Sequence, residues 1–382
     1  MKKHIIKLAC HSITIFLNRN FGLPLLFVML LITYSCKKKE TPTPTVVTPA
    51  DTTTLRSTAS FPVGSAMNPD LIKDNTFYYK IASTQYSSLT PENVMKFAAT
   101  EPALNQFSYS DGDYLVSFAE QNHMRVHAHN LIWYSDLPNW VVNFQGDSSA
   151  WEGIFKTHID SVASHFKGKV TSWDVVNEAI RDDNGTLRNQ DVSAGDGSIW
   201  RQHLGPDYIA RAFQYAHAAD PNALLFYNDY GQEYDVVKLD SIIALVTGLK
   251  ARGIPISGIG MEMHINVNDN NTGITTALQK LAATGLLIHI SELDISLNPG
   301  NNQSLVLTDA LEQAQSAEYQ FVAETYQASV PAAQRYGITT WEFSDAASWI
   351  PGYYNRPDWP LPFDVNYNKK PAFYGLLTGL QK

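Results

Sequence analysis

Positions 57–382 alternate between two kinds of segment. Short apolar runs with strand-type composition lie at 61–67, 85–89, 125–131, 170–177, 223–228, 258–264, 287–292 and 337–343. Longer amphipathic stretches fall between them, such as those at 111–122, 151–166, 206–218, 234–252 and 302–335. Strand, helix, strand order implies parallel pairing through right-handed crossovers. Eight such units without a second linker or repeat predict an α/β fold, a single (β/α)8 TIM barrel. An open doubly wound sheet would usually carry a Gly-rich phosphate loop after its first strand, and this chain has none. The 44% hydrophobic content suffices for one large core.

The first 56 residues read differently. Residues 1–35 carry Lys2, Lys3, Lys7 and Arg19, no acid, and an apolar run at 21–33 of 13 residues. That run is short of the ~20 a spanning helix needs. Ser35 then precedes Cys36, which resembles a bacterial lipoprotein signal cleaved before an acylated cysteine, although Thr33 stands where such signals usually carry Leu. Residues 36–56, KKKETPTPTVVTPADTTTLR after the cysteine, form a Pro/Thr-rich tether. The expected layout is signal peptide 1–35, tether 36–56 and catalytic domain 57–382. The protein is expected to be exported, held to a bacterial envelope membrane through lipid on Cys36 or otherwise secreted, and monomeric. Cys10 and Cys36 are the two cysteines, so the globular part uses neither disulfide nor thiol chemistry. Net charge is -9, and setting aside the four cations of the first 35 residues leaves -13 for the rest. An acidic body of that kind argues against a nucleic-acid partner.

In a barrel, chemistry gathers where strands end. Glu92 and Asn93 follow the second run, His129 lies near the end of the third, and Asn177 and Glu178 close the fourth. Asn228 and Asp229 end the fifth, Glu262 and His264 the sixth, Glu292 and Asp294 the seventh, and Trp341 the eighth. Two carboxylates across a barrel mouth are what glycosidic cleavage requires, one neutral to protonate the leaving oxygen and one ionised to attack the anomeric carbon. No Lys or Arg ends either strand to pair with Glu178 or Glu292. His264 shares a face with Glu262, as Asp294 does with Glu292, so the histidine is placed to orient a nucleophile. His123, His127 and His129 suggest a metal, but no carboxylate pair with ligand spacing follows, so neither metal nor cofactor is expected. Trp133, Trp140, Trp341 and Trp349 are all core candidates, but Trp133 and Trp349 lie just past strand ends, where rings stack on sugars.

Together these residues resemble glycoside hydrolase family 10, the endo-β-1,4-xylanases. The matches run in family order from Ser88-Leu-Thr-Pro-Glu-Asn-Val-Met-Lys96 through His129-Asn-Leu-Ile-Trp133, Leu137-Pro-Asn-Trp140 and Trp173-Asp-Val-Val-Asn-Glu178. They continue with Tyr227-Asn-Asp-Tyr230, Gly258-Ile-Gly260 with His264, Glu292-Leu-Asp-Ile295 and the 362–371 segment. The resemblance implies a retaining endo-β-1,4-xylanase acting on the xylan backbone of plant cell walls by double displacement. Glu178 would be the acid/base and Glu292 the nucleophile. Asn177 would bond a sugar 2-hydroxyl, and His264 and Asp294 would support Glu292. Glu92, Asn93, Lys96, His129, Trp133, Asn228, Tyr230, Trp341 and Trp349 would line the glycone subsites. Tyr134, Asp136, Gly231, Glu262 and Glu342 stand where the family usually has His, Gln, Asn, Gln and Gly. All five are expected near the sugar, which leaves open another β-1,4-glycan or decorated xylan fragments. Glu262, if ionised, is expected to raise the pKa of Glu178. A silent glycan-binding lipoprotein would be expected to lose Glu178 or Glu292, and both are present.

Overall fold

The computed structural model describes residues 53–382. The expected signal peptide, Cys36 and most of the expected tether lie outside the described residues. Nine strands form the sheet: β1 (Val63–Met67), β2 (Ser88–Pro91), β3 (Arg125–Ile132), β4 (Ser172–Asn177), β5 (Leu224–Asp229), β6 (Gly258–Met261), β7 (His264–Asn266), β8 (Leu287–Ser296) and β9 (Arg335–Thr340). Every pairing is parallel, and β1 pairs with both β2 and β9. The ring closes through β6–β8 and β8–β9, with β7 beside the upper half of β8, where His264 is opposite Asp294. β6 and β7 share one barrel position, so this is the expected (β/α)8 barrel.

Alternation along each strand divides the side chains between helix layer and lumen. On β4, Trp173 and Val175 are fully buried and pack in the main core. Ser172 and Asp174 take the other face, where Ser172 Oγ lies 2.6 Å from His127 Nδ1 and Asp174 Oδ2 lies 2.9 Å from His129 Nδ1. The lumen floor is filled by His127, Phe226, His289 and Tyr336, in mutual ring contact. Outside, the helix Ser148–His165 turns Trp151, Ile154, Phe155, Ile159 and Val162 to the barrel at helical spacing. Each such burial is worth roughly 1.5–3 kcal/mol. Asp147 starts that helix by accepting from the Ala150 amide at 2.9 Å.

The structure corrects three element boundaries at the rim. The sixth run is not one strand: it breaks after Met261, and Met263 takes φ 59° before β7 resumes. The seventh does not stop at Glu292 but extends to Ser296, which makes Glu292 a mid-strand residue. The 302–335 stretch contains a shorter helix, Asp309–Ser329. Among the described residues no helix is long and apolar enough to cross a membrane.

Candidate active site

The site is built around one amide. Asn228, on β5, is fully buried. Its Nδ2 donates toward Asn177 Oδ1 at 2.8 Å and toward Glu262 Oε1 and Glu292 Oε1 at 3.0 Å each. Ser291 Oγ donates to its Oδ1 at 2.7 Å, which fixes the amide's orientation. Asn177 in turn donates to Glu178 Oε1 at 3.2 Å. A continuous chain therefore runs Glu178, Asn177, Asn228, Glu292. The neighbouring strand makes room for it: a Cβ on Gly260 would lie 1.9 Å from Asn228 Oδ1, so only glycine fits there.

The two glutamates have opposite electrostatic surroundings. Glu178 follows β4 with φ 52°, a left-handed conformation that non-glycine residues seldom adopt and that recurs at functional sites. Burial, then the charge of Asp229, push its carboxyl up to about 7; the Trp133 indole and Arg188 oppose them. Burial also disfavours ionisation of Glu292, but His264 and His129 outweigh it and hold that carboxyl below its ordinary value. His264 Nε2 lies 3.5 Å from Glu292 Oε2, and His129 Nδ1 lies 4.0 Å from Glu292 Oε1. Asp294, with its Oδ2 2.9 Å from His264 Nδ1, raises the imidazole pKa well above its usual value although burial lowers it. The Trp349 indole donates to the same Asp294 oxygen at 2.8 Å.

The remaining predicted residues lie around this pair. Lys96 Nζ donates to Asn93 Oδ1 at 2.8 Å and sits 5.2 Å from the Trp133 ring and 5.8 Å from the Trp341 ring. Burial raises the Glu92 carboxyl and Lys96 counters it. Trp341 packs edge-on against His129 at 5.3 Å. Tyr230 donates to Asp182 at 2.7 Å with Lys238 3.4 Å above its ring. Trp140 is half-buried against the core and donates to the Glu101 carbonyl at 2.8 Å. His127 and His129 both lie against Asp174, at 3.0 and 2.9 Å, and so brace the barrel under Glu292.

The sequence of residues 53–378 matches Glycosyl hydrolase family 10. The chain belongs to that family. Among family 10 relatives, endo-1,4-beta-xylanase D of Talaromyces funiculosus is 37% identical over 316 residues, 82% of this chain and 73% of the relative. Endo-beta-1,4-xylanase Xyn10C of Cellvibrio japonicus is 36% identical over 349 residues, and this chain spans only 56% of its length. Native xylanase 10B from Thermotoga maritima superposes with a TM-score of 0.78 at 33% identity, covering 86% of this chain and 98% of that one. A xylanase10C mutant from Cellvibrio japonicus in complex with xylopentaose gives 0.82 at 35% identity, covering 87% and 70%.

The structure gives local surroundings to the residues expected to depart from the family pattern. Contrary to the expectation of no cation beside Glu178, Arg188 Nη2 lies 3.7 Å from its Oε2 and Arg188 Nε donates to its backbone carbonyl at 2.5 Å. Tyr134 packs on that guanidinium at 3.5 Å. Arg188 lies in the irregular segment after β4, where no periodicity points to it. Glu342 is buried and accepts from the Tyr78 hydroxyl at 2.7 Å, so its carboxyl is engaged in the wall rather than offered to a sugar. At Gly231 (φ 81°) the Tyr234 hydroxyl would come within 3.1 Å of a Cβ. Asp136 is exposed. Burial and the charges of Glu292 and Glu178 push the Glu262 carboxyl well above the usual range.

Proposed function

We propose that this chain is a retaining endo-β-1,4-xylanase in which Glu178 is the acid/base and Glu292 the nucleophile. The observation that carries the reading is the pair of glutamates joined through Asn177 and Asn228, one held neutral to about pH 7 and the other held ionised. In the first step Glu292 attacks the anomeric carbon while Glu178 protonates the leaving oxygen. The covalent glycosyl-enzyme is then hydrolysed by water that Glu178 deprotonates. Such a mechanism places the two carboxyl groups ~5–5.5 Å apart. The positions of Lys96, Trp133, Trp341 and Trp349 suit a cleft for neutral sugars, which ring faces and directed hydrogen bonds recognise. Xylan as substrate is consistent with the relatives named as xylanases. NMR of the first anomer released from xylan tests the mechanism: β-product supports retention, and α-product overturns it. Product analysis on arabinoxylan, glucuronoxylan and cellulose tests the substrate.

Export and lipid attachment at Cys36 complete the proposal, supported by the signal-like 1–35 segment and the Pro/Thr-rich tether. Release of the protein from membranes on Cys36→Ala is the expected result.

A further inference from the structure

Glu178, Glu262 and Glu292 converge on one small polar cluster, and the hydrogens there do not suffice for three carboxylates. Asn228 Nδ2 has two hydrogens. It faces three acceptors at 2.8–3.0 Å: Asn177 Oδ1, Glu262 Oε1 and Glu292 Oε1. Its carbonyl is already held by Ser291, so the amide cannot turn to relieve the shortage. Charge is equally short. His264 Nε2 lies 3.5 Å from Glu292 and 3.7 Å from Glu262, while its Nδ1 is 2.9 Å from Asp294. One imidazolium thus serves three carboxyl groups. Glu262, His264 and Glu292 each bring a nitrogen or oxygen within 4.8 Å of the others. Carboxylates that close do not all ionise together.

The geometry identifies which one keeps its proton. Glu292 has a second imidazole, His129, at 4.0 Å, and Asp294 has the Trp349 indole. Glu262 has neither, and its side chain is only 4% exposed. The groups facing it are Glu178 just past β4, Asn228 and Asp229 from β5, His264 from β7, and Glu292 from β8, with the Tyr134 and Tyr234 hydroxyls as further electrostatic neighbours. All but His264 and the neutral amide are acids.

We propose that Glu262 is a positioning residue that works as a neutral carboxylic acid, supplying the hydrogen missing from the cluster and leaving Glu292 as the one negative charge beside the anomeric carbon. Its O–H donates within the cluster or to a bound sugar hydroxyl, and its carbonyl oxygen accepts from Asn228. Ionisation of Glu262 removes the donor and places a second charge against the nucleophile, which disorders the cluster and slows attack. The strong upward shift of this carboxyl agrees with the geometry. The proposal rests on the glycosidase reading for its kinetic consequence, but not for the protonation state itself.

Two measurements test it. The first is infrared difference spectroscopy of the parent against Glu262→Gln. A protonated carboxylic C=O band at neutral pH, present in the parent and lost in the variant, is expected; its absence overturns the proposal whether or not the protein cleaves xylan. The second is the first-step burst on an aryl β-xylobioside whose leaving group needs no proton, so that Glu178 drops out of that step. The parent rate is expected to fall about tenfold per pH unit once Glu262 ionises, as for any step that needs one protonated group. Glu262→Gln, neutral at every pH and able to donate and accept, is expected to lack that fall. His264 is common to both proteins, so their difference isolates Glu262. Glu262→Ala should be slow at every pH, with Gln restoring the rate. Overlapping alkaline profiles, or rescue of Glu262→Ala activity by Asp but not by Gln, would refute the neutral role.

Discussion

Glu178 keeps its proton with a guanidinium 3.7 Å away, which is the reverse of what that neighbour alone would do. Burial and Asp229 dominate, and Arg188 limits how far they act. Removing the cation as Arg188→Gln is therefore expected to raise the Glu178 pKa and move the alkaline limb of kcat/KM to higher pH. It should also lower the rate at the optimum roughly tenfold, because the Glu178 backbone carbonyl loses its donor and the acid is held less well. A limb that stays in place or moves down would show that Arg188 does not act on Glu178. The roles of the two glutamates separate by leaving group. Glu178→Ala should lose about 10²–10⁴-fold on xylan yet retain the first step on activated aryl glycosides. Glu292→Ala should lose both, and equal loss of aryl-glycoside cleavage in the two variants would overturn the assignment. At this scale the sequence was informative where a polar residue interrupted an apolar run near the barrel rim, which is why Glu178, Glu292 and His264 could be named from it, although Glu292 lies within β8 and His264 begins β7. Arg188 could not, since its position depends on an irregular segment folding back over the rim. The protonation of Glu262 could not either, because it depends on which neighbours hold the few available hydrogens.

The alternation of apolar runs with amphipathic stretches made the barrel and its rim legible in the sequence, because parallel strands bury both faces and read as apolar runs. Their ends were less legible. Glu262 and His264 were expected to share one unbroken strand, but positive φ at Met263 separates β6 from β7 and still delivers both side chains to Glu292. β6 contributes in a second way, by lacking side chains. Gly258 leaves space for the Phe226 ring and Gly260 for the Asn228 amide. Gly260→Ala is expected to displace Asn228 and with it the link between the two glutamates. A fall in kcat of about 10–100-fold with a smaller change in KM should follow, since misplacing catalytic groups by about 1 Å costs that much. Overpacking should destabilise the fold by about 1–3 kcal/mol. A variant with parent kcat would mean that the amide adapts and is not the hub of the site.

Across the whole molecule, buried acids set how stability depends on pH. Glu233 and Glu318 are buried, and burial pushes each up to about 7, as it does Glu178. Asp345 is pushed up to about 6, chiefly by burial and against the pull of Lys370. A carboxyl raised in the folded state behaves oppositely to a salt-bridged one. The unfolded chain releases its proton near pH 4.5 while the native protein keeps it, so rising pH favours unfolding until the native group titrates as well. Between about pH 5 and 7 each such group removes up to ~1.4 kcal/mol of stability per pH unit. Two buried histidines act the other way. Desolvation lowers the pKa of both His158 and His289, so acid weakens the native state below about pH 6.5, where the unfolded imidazoles gain protons. Asp174, depressed by His127 and His129 despite burial, adds stability that is lost only in strong acid. The acids outnumber the histidines, so the maximum should fall on the acid side of neutrality. Tm is expected to be higher at pH 5.5 than at pH 7.5, and the double variant Glu233→Gln, Glu318→Gln should flatten the decline because neither amide titrates. A Tm that rises from pH 5.5 to 7.5 would mean that these carboxyls reach water in the native protein, and that its acid balance is set by the histidines instead.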